Sequence, residues 1–289
     1  MRLERFFWWL KQDIYLLLNI KNILKHIIYS NSIISLSCGI LTWGFCNFSH
    51  LKNDLLYGVV AFLGTFCVYN FQRLVKSKQR THPSAQNQWV EENLIGVYLS
   101  IALSFVGLMY VLWQLVIWTP IIIVIGAFAF FVCVFYIIRI RGRNLRELPF
   151  LKIHLISSIW VITISIFPLL NEQNFEMNNW IFGSVHYAYF LAVCIPFDIR
   201  DLRNDSSEQK TIPQILGLQS AKMIAMLLLV CFIVISMTFR QELATKNFFL
   251  IAVIFQLLLV YFTNKQSSDF YFGILIDGAI LLLGLSYFF

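Results

Sequence analysis

Charge is what this 289-residue sequence most lacks: Asp, Glu, Lys and Arg make up 13% of it. An average soluble domain carries about 25%. That shortage excludes an ordinary soluble enzyme, and the 59% of hydrophobic residues excludes a disordered chain. Paired cysteines are missing too. Cys38, Cys46, Cys67, Cys133, Cys194 and Cys231 are scattered through apolar segments with no CxxC spacing. This excludes a disulfide or zinc framework and leaves them as small buried residues. No cleavable signal peptide is expected, because the basic start (Arg2, Arg5) leads into an apolar run broken by Lys11-Gln12-Asp13. Basic motifs interleaved with aromatics are also lacking, so the net charge of +7 implies no nucleic-acid partner.

What is present is a series of apolar runs, with a mean hydropathy of +0.73. A bilayer core of about 30 Å takes roughly 20 helical residues. Nine candidate spans follow: 27–48, 55–74, 93–115, 118–138, 150–170, 179–197, 220–239, 247–264 and 269–289. The expected fold is an all-α polytopic bundle of nine transmembrane helices over 25–289. Residues 1–24 precede it and hold Phe6, Phe7, Trp8 and Trp9 beside Arg5 and Lys11. Aromatics next to cations suit an amphipathic helix lying in the headgroup layer.

The cations give the orientation. With the N-terminus cytoplasmic, 19 of the 22 Lys and Arg residues fall on the cytoplasmic side, leaving Lys52, Arg240 and Lys246 outside. Inverting the topology inverts that ratio, against the positive-inside rule. Anionic lipid headgroups are partners enough for these loops.

Two cytoplasmic loops carry candidate chemistry. After the sixth span comes Pro196-Phe197-Asp198-Ile199-Arg200-Asp201-Leu202-Arg203-Asn204-Asp205. Asp198, Asp201 and Asp205 recur at i, i+3 and i+7, which is one face of a continuing helix. Three carboxylates there repel unless a cation joins them. Mg²⁺ takes one or two carboxylates, waters and phosphate oxygens, and Arg200, Arg203 and Lys210 suit a diphosphate. The same spacing also suits alternating charges on a solvated helix end.

The next residues, Lys210-Thr211-Ile212-Pro213-Gln214-Ile215-Leu216-Gly217, bring out a resemblance. D-x-x-D-x-x-x-D after a membrane helix, followed by this stretch, resembles the second aspartate motif of the UbiA superfamily of intramembrane prenyltransferases. The resemblance implies nine helices with cytoplasmic active-site loops. It implies Mg²⁺ held by Asp198, Asp201 and Asp205, and a prenyl diphosphate whose prenyl group passes to a lipid or aromatic acceptor. Lys152, near Pro149 at the start of the fifth span, matches a basic residue that contacts the diphosphate. In loop 2–3 the family pattern N-D-x-x-D-x-x-x-D meets Asn70-Phe71-Gln72-Arg73-Leu74-Val75-Lys76-Ser77-Lys78. Asn70 and the trailing Arg80-Thr81-His82-Pro83 match, but Phe71, Leu74 and Lys78 stand where the aspartates belong. None of the three binds a hard cation. Lys78, Lys76 and Arg73 can instead hold a diphosphate as point charges.

The substrate-binding set expected is therefore Asn70, Lys78, Arg80, Lys152, Arg200 and Lys210. Losing half of a metal cage removes Lewis acidity worth several kcal/mol. Three readings stay open: an active prenyltransferase, an isoprenoid-binding protein without turnover, and a structural subunit of a larger membrane-protein complex. The expected setting is a bacterial cytoplasmic membrane. Asp277, inside the last span, is a further candidate. His154 and His186 suit interhelical hydrogen bonds. Tyr69, Tyr136, Tyr187 and Tyr189 suit the wall of a prenyl cavity.

Overall fold

The computed structural model describes residues 22–79, 84–139, 144–202 and 207–289. The described residues are helical, with no strand among them. The helices are α1 (Asn22–Tyr29), α2 (Ser32–Phe48), α3 (Asp54–Gln79), α4 (Ala85–Glu92), α5 (Leu94–Leu115), α6 (Pro120–Phe135), α7 (Leu151–Val161), α8 (Phe167–Asn171), α9 (Met177–Asp201), α10 (Ile212–Phe239), α11 (Asn247–Phe262) and α12 (Asp277–Ser286). Single π-turns lead from α7 into α8 (Ile162–Ile166) and into α12 (Tyr271–Ile276). Pro168 explains the first, because it has no N–H to return to Ile164.

Each expected span coincides with a helical segment. Five are long and apolar enough to cross a bilayer, and a sixth qualifies if α1 and α2 are one span bent by 56°. The bend sits at Asn31, which takes a left-handed conformation at φ 59°. Two others, α6 and α11, have 16 residues each, about 24 Å of helix against a 30 Å core. The α12 segment with its π-turn, Tyr271–Ser286, is the third short one. Most of the expected interfacial helix at 1–24 lies outside the described residues.

In lipid, helices associate by close packing and hydrogen bonds, since tails are as apolar as leucine. Small residues accordingly mark the crossings. A Cβ on Gly44 would run into the Gly284 carbonyl oxygen, and one on Gly284 would lie 2.6 Å from the Leu41 backbone, so α2 and α12 touch backbone to backbone. Between α7–α8 and α9, a Cβ on Gly183 would lie 2.7 Å from Ser165 Cβ. Rings fill the space inside. Phe45 stacks on Phe182 at 5.5 Å, and His186 meets Phe182, Phe232 and Tyr287 edge-on. Such pairs add about 0.5–1.5 kcal/mol each beyond the area they bury. His186 joins two helices, with Nδ1 against the Phe182 carbonyl and Nε2 2.8 Å from the Tyr287 hydroxyl. Outside this core, α5 and α6 expose Ile95, Leu103, Val106, Trp113 and Phe130, as a lipid-facing layer should.

Candidate functional site

One end of the bundle gathers most of the charge that the sequence spends. The end of α9 brings Asp198 and Asp201 onto one face, as their spacing predicts. Lys152, the second residue of α7, lies between them: its Nζ is 2.8 Å from Asp198 Oδ1 and 3.3 Å from Asp201 Oδ2. Both Lys152 and Asp198 are buried. Asp201 meets two further cations, with Arg200 Nε 2.8 Å from Oδ1 and an Arg146 Nη 3.6 Å from Oδ2. The Arg200 guanidinium lies over the Phe197 and Phe272 rings at 5.1 and 5.2 Å.

Local structure sets these positions. Asn144 caps the short turn Leu145–Glu147, accepting the Glu147 N–H at 3.0 Å, and so fixes where Arg146 leaves the chain. Phe150 turns into the left-handed region (φ 63°) and donates its N–H to the Gln209 carbonyl at 3.0 Å. That bond ties the loop before α7 to the loop before α10. Lys210 follows, exposed and also left-handed, at a small cavity shared with Lys152, Asp198 and Thr211. Gln214 Oε1 accepts the Thr211 N–H at 2.9 Å and starts α10. Gly217 (φ 80°) then kinks that helix, a backbone conformation only glycine takes without strain.

Across from α9, helix α3 contributes Arg73 and Lys76. Arg73 lies within electrostatic reach of Asp201, Arg146, Arg200 and Asp269, and Lys76 within reach of Asp201, Arg146 and Arg200. Tyr69, Arg73 and Lys76 form an i, i+4, i+7 stripe along α3. Cys194, Asp198 and Asp201 form the same stripe along α9. Tyr69 interacts with Asp277, Cys194 and Tyr136, and its hydroxyl faces the Trp160 indole. The two stripes thus run from the charged end toward the half-buried Tyr69, Tyr136 and Asp277. Among the described residues, five cations (Arg73, Lys76, Arg146, Lys152 and Arg200) are grouped with the three carboxylates of Asp198, Asp201 and Asp269.

Other expected site residues go elsewhere. Asn70 is buried and spends its amide on the α1–α2 bend. It donates to the Ser30 and Phe66 carbonyls at 3.0 and 2.8 Å and accepts from Asn31 at 3.2 Å. Lys78 is exposed, with its Nζ 2.6 Å from the Tyr98 hydroxyl. Leu74 packs with Tyr29, Trp89, Val90 and Val97 beneath α4. Phe71, Leu74 and Lys78 share one helix face, and through Leu74 and Lys78 that face meets α1, α4 and α5. The sequence groups Arg73, Lys76 and Lys78 as point charges for one diphosphate; the phase of α3 separates Lys78 from the other two. Arg80 and Asp205 lie outside the described residues. His154 is exposed, its Nδ1 2.6 Å from the Tyr187 hydroxyl.

A Mg²⁺ site fits this arrangement poorly. Mg²⁺ needs near-octahedral oxygen at about 2.0–2.1 Å. Here Asp198 and Asp201 already face three fixed cations, and Asp205, the third carboxylate of the motif, lies outside the described residues. A surplus of fixed positive charge, by contrast, raises the local concentration of anions. Comparison with family models, with curated proteins and with solved structures finds no match for this chain.

Proposed function

We propose that this chain is a divergent UbiA-like membrane protein whose charged end faces the cytoplasm and binds the diphosphate of an isoprenoid lipid. The observation that carries the reading is the pair of facing stripes, Tyr69-Arg73-Lys76 and Cys194-Asp198-Asp201, with cations in excess at the mouth. Arg73, Lys76, Arg146 and Arg200 are placed to donate to diphosphate oxygens, and guanidinium groups suit them because their planar forks bind two oxygens at once. Tyr69, Trp160 and Phe197 lie where the first isoprene units would enter. Nine passes belong to the same reading: the two 16-residue helices are accommodated by thinning of the bilayer around them, at fractions of a kcal/mol per Å. The setting proposed is a bacterial cytoplasmic membrane.

Between transfer and retention, the geometry favours retention. Diphosphate departure by the family's route draws on metal Lewis acidity, and two of the three carboxylates that would hold the metal, Asp198 and Asp201, are engaged by Lys152, Arg146 and Arg200. The chain then acts as an isoprenoid-binding protein or as a subunit of a larger membrane complex. The test is direct. Purified protein in detergent is incubated with radiolabelled farnesyl diphosphate, and retained ligand and released diphosphate are counted together. Stoichiometric retention with no release supports the reading. Steady release of diphosphate would return the chain to the prenyltransferases, acting on a lipid or aromatic acceptor. Neither retention nor release would remove the anion site altogether.

A further inference from the structure

The structure assigns the counter-cation of this site to the chain itself: Lys152 stands between Asp198 and Asp201 where a divalent ion would stand, so diphosphate binding is independent of metal. The inference rests on the reading that the cluster takes a diphosphate, and it states how.

Three observations carry it. Lys152 Nζ is within 2.8 and 3.3 Å of one oxygen from each carboxylate, the bridging position a metal needs. Both oxygens of Asp201 are engaged, Oδ1 by Arg200 and Oδ2 by Lys152 and Arg146, so a metal would have to displace fixed cations before it could bind. Finally, Lys152 is the second residue of α7, where the positive end of the helix dipole disfavours a cation. An ammonium is held there by its carboxylates and not by its helix.

The charge balance has a consequence of opposite sign to a metal site. In a metal cage each carboxylate helps to bind the diphosphate through the ion. Here each carboxylate competes with the diphosphate for the same cations. Removing Asp201 should then release Arg146 and Arg200 for the ligand and tighten binding.

The experiment is calorimetric titration of the full chain in detergent with inorganic pyrophosphate and with farnesyl diphosphate, each in EDTA and in excess Mg²⁺. Binding in EDTA at an affinity that Mg²⁺ leaves equal or lower is the expected result, since Mg²⁺ only chelates the free ligand. Tighter binding of farnesyl diphosphate assigns the headgroup to a lipid, and equal affinities assign the site to the free anion. Asp201→Asn should tighten binding by roughly tenfold, the scale of one charge-assisted hydrogen bond. Lys152→Arg should keep metal-free binding. Wild-type binding that appears only with Mg²⁺, or is lost in Asp201→Asn, overturns the inference but leaves the diphosphate site standing. No binding of either ligand in either buffer overturns both.

Discussion

The two ends of the bundle handle buried charge in opposite ways. At the end away from the cluster, Arg240 is buried with its donors matched to acceptors. It binds the Phe48 carbonyl at 2.7 Å, the Asn179 side chain and, at 3.4 Å, Glu242, while its guanidinium lies 4.2 Å over the Phe48 ring. Glu172 is equally committed, accepting the N–H groups of Lys52 and Asn53 at 2.8 and 2.9 Å. Asn171 joins three segments through Tyr57, Leu115 and Ile117. At the charged end, among the described residues, five cations share the carboxylates of Asp198, Asp201 and Asp269, and Lys76 faces three cations, Arg73, Arg146 and Arg200, against one carboxylate, Asp201. Matched charge clamps helices together. Surplus charge stores electrostatic energy that an anion can recover, so the same residue types serve structure at one end and, in the function proposed above, recognition at the other.

The sharpest way to break this contrast is at Arg240. Arg240→Met leaves buried acceptors on Phe48 and Asn179 without a donor, and should lower stability by about 3 kcal/mol or more, read by unfolding in detergent. Arg240→Lys should recover only part, because an ammonium has no planar fork. Diphosphate binding by the folded fraction should not change.

At the charged end the pattern should invert. Arg73→Gln with Lys76→Gln should weaken diphosphate binding by about 10- to 100-fold, at one charge-assisted contact or more. Stability should hold or rise, since two mutually repelling cations leave the cluster.

Asn70 tests whether every polar group at that end belongs to the site. Asn70→Ala should cost about 1–2 kcal/mol of stability by freeing the Ser30–Asn31 bend, with diphosphate affinity in the folded protein unaltered. The smallest effect is expected at Lys78. Lys78→Gln, at an exposed position beside Tyr98, should change stability by less than about 0.5 kcal/mol and leave binding within experimental scatter.

Much of this contrast was legible in the sequence. Apolar runs located a helical segment for each expected span, and five or six of these are long and apolar enough to cross a bilayer. Asp198 and Asp201 share a face because 3.6 residues make a turn, and Lys152 was singled out from its place beside Pro149. Less legible was the phase of α3. Composition puts Arg73, Lys76 and Lys78 in one loop-flanking run, but only packing against α5 decides that Lys78 turns to Tyr98. Helix α4 was missed because its residues, Ala85–Glu92, are polar enough to read as loop, and its start depends on a single Ser84 cap that accepts the Asn87 N–H at 3.1 Å. Asn70 looked like a ligand-binding residue because it opens a motif; its hydrogen bonds are to a bend at Asn31 that has no pattern in sequence. The role of Lys152 as the bridging cation needed distances.

The most direct test of the account is thermal unfolding of the detergent-solubilised chain, with and without saturating pyrophosphate, in wild type and in Arg73→Gln/Lys76→Gln. A ligand at 100 times its Kd adds about 2.7 kcal/mol. The account predicts a clear rise in Tm for wild type in EDTA, and at the same ligand concentration a much smaller one, worth about 0.4–1.4 kcal/mol, for the double variant, whose unliganded Tm is unchanged or higher. Equal rises in both proteins, or none in either, would contradict it.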